Sequence, residues 1–152
     1  MKEMVYREKP GLDSHTRILD KGNYEGYQYI IGSLGGIYPV AYVNLPNSSP
    51  LYGLEDIDTI NEYLKGYAGE VPCHGGITFA NEYPCFLCKS RGVLDGTTRL
   101  EPGWYIGWDY AHEDDFHPIF NQDGRKWTTG EVLGDVHNVI GVLNASRVTK
   151  GE

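Results

Sequence analysis

In the last third of the chain, acid and histidine recur at even spacing in Asp109-x-x-His112-x-x-Asp115. Carboxylate oxygen and imidazole nitrogen are ordinary ligands of zinc, manganese and iron. If the chain turns helical there, all three side chains fall near one face. A separate segment, Cys73-His74-Gly75-Gly76, offers a second imidazole. We expect His74, Asp109, His112 and Asp115 to meet in space. Gly75 and Gly76 would let backbone pass close to them without a side-chain clash. Two chemistries are open to such a cluster. Around a divalent metal such as zinc it would activate water, as a metal-dependent hydrolase does. Without a metal, the histidines and carboxylates would pair and pin the loop ends, which is a common structural device.

Cysteine supplies another candidate ligand set. Cys85-x-x-Cys88 is a zinc half-site, and Cys73 with His74 or His117 would have to complete it. Cys73 and His74 are adjacent rather than spaced, which suits a second half-site poorly. Cysteine is also a common buried apolar residue. No βαβ pattern surrounds Cys85 and Cys88, so a thioredoxin-like pair is disfavoured. Three cysteines is an odd count and argues against a disulfide scaffold, so we expect free or metal-bound thiols. Neither Gly35-Gly36 nor Gly75-Gly76 has the spacing of a nucleotide loop, and no serine sits in a nucleophile-elbow context. Glu113-Asp114-Asp115 reads as a solvated turn.

The elements that must carry these residues read as α+β: a small, mainly antiparallel sheet, a C-terminal amphipathic helix packed on it, and a second helix at the flank. Residues 1–23 are polar and lack a period, and read as a loosely ordered lead-in to a single domain over 24–148. Tyr24 to Ile31 is strand-like, with Tyr27, Tyr29 and Ile31 on one face. A turn at Ser33-Leu34-Gly35-Gly36 leads to a strand over Ile37 to Leu45, whose Pro39 suggests an edge position. Gly53 to Tyr67 reads as a helix with Ile57, Ile60 and Leu64 inward and Gly66 or Gly69 ending it. Ile77-Thr78-Phe79 and Trp104 to Trp108 read as strands, and residues 84–102 have no clear pattern. Thr128-Thr129-Gly130-Glu131 fits a capping box. Val132, Leu133, Val136, Val139, Ile140 and Leu143 follow at helical spacing, and His137 falls beside that stripe. Tyr24, Tyr27, Tyr29, Tyr38 and Tyr42 are either sheet-packing residues or the lining of a groove.

The chain has 152 residues and a net charge of −8. Its only basic clusters are Lys89/Arg91 and Arg125/Lys126, so direct nucleic-acid binding is disfavoured; the acidic surface suits solubility and would also suit docking on a basic protein. No apolar run is long enough to span a bilayer, and Met1-Lys2-Glu3-Met4-Val5 opens no signal-peptide core. The expected location is the cytoplasm.

Three stretches together resemble one family. They are Ala41-Tyr42-Val43-Asn44-Leu45-Pro46 with Pro50-Leu51-Tyr52-Gly53, then Cys73-His74-Gly75-Gly76-Ile77-Thr78-Phe79, and then Trp104-Tyr105-Ile106-Gly107-Trp108-Asp109-Tyr110-Ala111-His112-Glu113-Asp114-Asp115. They resemble small proteins of bacteriophages, prophages and other mobile elements. Those proteins show His-Gly-Gly-Leu-Thr-Tyr, then Trp-Trp-x-Gly-Phe-Asp-x-x-His-x-x-Asp, then a closing amphipathic helix. Order and spacing agree over about residues 38–145. The chain departs from the pattern at Ser49, where the family has histidine, at Trp108 for phenylalanine, and at Tyr110 for a frequent cysteine. Ser49 is therefore not counted as a ligand. The resemblance implies no defined reaction. Small size, acidic charge and the resemblance together favour an accessory protein that binds a protein or small ligand at its His/Asp cluster, the partner being a host or competing-element protein. The metal-dependent hydrolase is the alternative.

Overall fold

The computed structural model describes residues 16–34, 38–82, 93–94, 98–99 and 103–149. In chain order the elements are β1 (Thr16–Tyr24), β2 (Tyr27–Leu34), β3 (Tyr38–Leu45), α1 (Ile57–Ala68), β4 (Phe79–Asn81), β5 (Val93–Leu94), β6 (Thr98–Arg99), β7 (Trp104–Asp109) and α2 (Thr129–Thr149). Five strands form an antiparallel sheet in the order β1-β2-β3-β7-β4, and β5 pairs with β6 apart from it. α2 packs on β1, β2 and β3, and α1 packs on α2. This is the expected α+β arrangement.

The expected lead-in gives way over Thr16–Asn23, which belong to edge strand β1. A two-residue loop, Glu25-Gly26, joins β1 to β2 with φ of 46° and 92°. Positive φ at both central residues gives the turn a twist that matches the hairpin strands. β3 is an interior strand, not an edge. Its Pro39 is tolerated because the ladder to β7 begins one residue later, at Val40↔Asp109. The Pro39 carbonyl still accepts the Tyr110 N–H at 3.1 Å.

α1 starts later than the sequence pattern suggests, because the Asp56 side chain accepts the N–H groups of Asp58 and Thr59 and fixes the N-cap there. Gly69 closes the helix at φ 84°, a left-handed cap that glycine adopts without Cβ strain. α2 opens with the capping box. Glu131 N–H donates to Thr128 Oγ1 (3.2 Å) and Thr128 N–H donates to Glu131 Oε1 (2.9 Å).

The main core lies between sheet and helices. Tyr27, Ile31, Ala41, Val43, Ile106 and Trp108 from the strands meet Ile60, Leu64, Val132, Val136, Val139, Ile140 and Leu143 from the helices. Ile30, Val40, Tyr42 and Tyr105 form a smaller cluster on the opposite face. The β-strand tyrosines are thus packing residues. The segment expected at 77–79 pairs two residues later, at Phe79–Asn81. Among the described residues no helix is long and apolar enough to cross a membrane.

Candidate functional site

β7 ends at Asp109, and the chain then folds into a tight turn rather than a helix. The Asp109 Oδ1 accepts the Ala111 N–H (3.2 Å). His112 and Asp115 close on each other: Asp115 N–H donates to the His112 carbonyl (2.9 Å), and His112 N–H donates to Asp115 Oδ2 (2.8 Å). The acidic run is split by this turn. Glu113 and Asp114 are exposed, whereas Asp115 is 2% exposed.

The second segment leaves α1 and loops through Cys73 to Ile77. Asn61 on α1 clamps its end, donating to the Ile77 carbonyl and accepting the Ile77 N–H. His74 N–H donates to Asp135 Oδ2 on α2 (3.1 Å). The His74 ring lies parallel to that of Tyr110, 5.1 Å away between centroids, and touches Trp127 and His112 at 4.6 and 4.9 Å. Gly75, at φ 71°, is the point of closest approach. A Cβ built there would lie 2.3 Å from His112 Nε2, so the absent side chain makes room for the imidazole.

The cluster therefore forms from two separate segments. His74 Nε2 lies 2.8 Å from Asp115 Oδ2. Trp127 Nε1–H donates to Asp115 Oδ1 at 2.8 Å. Ligand atoms of His74, His112 and Asp115 all lie within 4.8 Å of one another. Asp109 is not in that trio. Its carboxylate caps its own turn and sits 3.6 Å from His112 Nε2. Burial acts to raise the Asp115 pKa, but the His112 N–H, the Trp127 indole and His74 outweigh it and hold the carboxyl below its ordinary value. Asp115 is an anion facing two N–H groups and the His74 ring nitrogen.

Within this donor set the His74–Asp115 pair has the spacing of a shared ion. With metal–ligand bonds of about 2.1 Å, two ligand atoms 2.8 Å apart subtend roughly 85° at the metal, the angle of one octahedral edge. A separation of up to 4.8 Å exceeds the roughly 4.2 Å that two such bonds span, so His112, whose Nε2 lies 3.1 Å from the Asp109 carbonyl, would have to move inward to join it. The His112 N–H and the Trp127 indole would remain as outer partners that orient the carboxylate.

A chain of hydrogen bonds backs the cluster. Trp108 Nε1–H donates to Tyr110 Oη (3.0 Å), and Tyr110 O–H donates to Asp135 Oδ2 (2.6 Å). Burial, with the Asp135 hydrogen bond and charge, pushes the Tyr110 hydroxyl pKa far up, so it stays a donor. Burial and the Asp135 charge also push the Cys73 thiol up against the Gly76 N–H. A protonated, buried thiol is no nucleophile.

Of the cysteine alternative, only Cys73, His74 and His117 fall among the described residues. Cys85 and Cys88 lie outside the described residues. His117 uses Nδ1 to accept the N–H groups of Ile119 and Phe120. His74, His112 and Asp115 are the one group with metal-ligand spacing among the described residues. Ser49 accepts the Leu51 N–H and has a turn-forming role.

Sequence reasoning missed Trp127, Tyr110 and Asp135. Only Asp135 left a signal, as an acid set inside the apolar run from Val132 to Val136. No protein-family model, curated protein or solved structure matches the chain.

Proposed function

We propose that this protein works by binding, and that the face made by His74, His112 and Asp115 holds a divalent transition-metal ion. One observation carries the reading: three ligand-type side chains from two distant segments bring their donor atoms within 4.8 Å. Burying an aspartate singly is costly, and here its charge is compensated by N–H donors already in place. In this reading the protein is a small acidic accessory protein, of the phage or mobile-element type that its motifs resemble. The ion-bearing face would meet a host or competing-element protein.

A hydrolytic reading has one observation in its favour: His74 also lines a groove of about 600 Å³, so a substrate lying there would reach the edge of the ion site.

The test is metal analysis of protein purified without a histidine tag, followed by calorimetric titration with zinc and manganese. Binding near one ion per chain is expected, with His112→Ala weakening it by about ten-fold or more, or roughly 1.4 kcal/mol. If the wild-type protein takes up neither ion and His112→Ala lowers only stability, the cluster is a structural pairing and the proposal fails. Hydrolysis is read separately, as metal-dependent turnover of model esters and phosphodiesters that His112→Ala abolishes.

A further inference from the structure

The groove runs between the end of α1, the loop carrying Cys73 and His74, and the exposed side of α2. Tyr67 and Val71 line one side, and Val142 and Ala145 line the other. Its two carboxylates are Glu70 and Asp135, and none of its lining residues is lysine or arginine. The Asp135 side chain is held by one oxygen only. Oδ2 accepts both the Tyr110 hydroxyl (2.6 Å) and the His74 N–H (3.1 Å), while Oδ1 accepts nothing from the described residues.

We infer that this groove binds an alkyl guanidinium, the end of an arginine side chain presented by a peptide or protein. Its apolar walls suit a methylene stem. The fixed carboxylate at Asp135 offers its second oxygen to a planar head with several N–H donors, and Glu70 adds charge of the same sign. A half-buried carboxylate held by two donors loses little freedom when it pairs, unlike a mobile surface acid. Guanidinium is less strongly hydrated than ammonium and gives up water more readily to enter such a groove. An anionic ligand would meet two carboxylates and a chain of net charge −8. Asp135 is not one of the ion ligands, so the inference stands whether or not a metal binds.

The experiment uses the full chain treated with EDTA, with binding followed by NMR shift changes. The probes are N-acetyl-arginine amide and its neutral isostere N-acetyl-citrulline amide. Saturable binding of the arginine probe is expected, with the citrulline probe about ten-fold weaker. Asp135→Asn should weaken binding by a similar factor. Because that change also disturbs Tyr110 and His74, Gly141→Leu provides the second arm. Gly141 lines the groove, and a Cβ there meets nothing within 4 Å. The leucine would therefore project into the groove and leave the Asp135 hydrogen bonds intact, and it should weaken arginine binding while thermal unfolding is unchanged or raised by the better helix propensity of leucine. Equal binding of the two probes, undiminished binding by Gly141→Leu, or no saturation at about 10 mM probe would each overturn the inference. None of these outcomes touches the ion-binding proposal, which is read on metal uptake alone.

Discussion

Gly75 is the residue on which the geometry of the cluster turns. Its φ of 71° is a left-handed conformation, and the space a side chain would take is filled by His112, 2.3 Å from the ideal Cβ. The site is sterically closed at that point, and His112 cannot keep its position if a methyl group is added. Gly75→Ala should therefore displace the imidazole. It should lower ion affinity by about ten-fold and stability by about 1–3 kcal/mol, measured by calorimetric titration and urea unfolding. Unchanged affinity in that variant would remove His112 from the ligand set. The trio of His74, His112 and Asp115 was legible in the sequence because its chemistry is local to each residue type and the glycines stand beside His74. Asp109 read the same way as Asp115, yet the two diverge. Asp109 spends its carboxylate on the Ala111 N–H, while Asp115 is buried under the Trp127 indole. Nothing in the spacing distinguishes a self-capping acid from one covered by a ring twelve residues on. Trp127 and Asp135 reach the cluster only because the start of α2 folds against the His74 loop, which is a tertiary event.

Among the elements, α2 was the most legible because its signals are local: a reciprocal capping box and an apolar stripe. Edge strand β1 was the least legible. A register shift between Ile18 and Asp20 interrupts its pairing with β2, so alternation is lost, and Lys21 and Asn23 face solvent. The capping box gives α2 a pH dependence. The Thr128 N–H, with Arg125, holds the Glu131 pKa below its ordinary value. A depressed carboxyl pKa contributes stability that is complete above the unfolded value of about 4.3 and is lost as pH falls through the folded value. The difference between wild type and Glu131→Gln should thus be constant near neutrality and shrink below about pH 4. Urea midpoints taken across that range would show it, and a difference independent of pH would mean that the carboxylate does not act through its charge. Gly134 is a second local weakness of α2. It is exposed, and an added Cβ meets nothing within 4 Å, so no packing demands glycine there. Gly134→Ala should stabilise the protein by about 0.5–1 kcal/mol through helix propensity. A loss of stability in the same unfolding assay would show a constraint on that helix face beyond the described contacts.

At the scale of the whole molecule, the cluster joins parts of the fold that are distant in sequence. His74 follows α1, His112 and Asp115 follow β7, Trp127 lies just before α2 and Asp135 lies within it. Unfolding separates these segments, so an ion held by all three ligands binds the native state alone. Its binding energy then adds to global stability as RT ln(1 + [L]/Kd), about 2.7 kcal/mol at a free-ion concentration one hundred times Kd. For a domain of this size each kcal/mol raises Tm by about 2–4 °C, so the expected rise is roughly 5–11 °C. Scanning calorimetry of metal-free protein with added zinc or manganese measures it, and EDTA should reverse it. His112→Ala should lose most of the rise, because the remaining pair of ligands no longer spans the closed site. A rise of the same size in His112→Ala would place the ion elsewhere in the chain. A bound ion with no rise would mean that the unfolded chain binds it equally well. In that case the thiols of Cys85 and Cys88, whose spacing needs no fold to bring them together, would be the competing ligands, and mutating both to serine should restore the missing stabilisation.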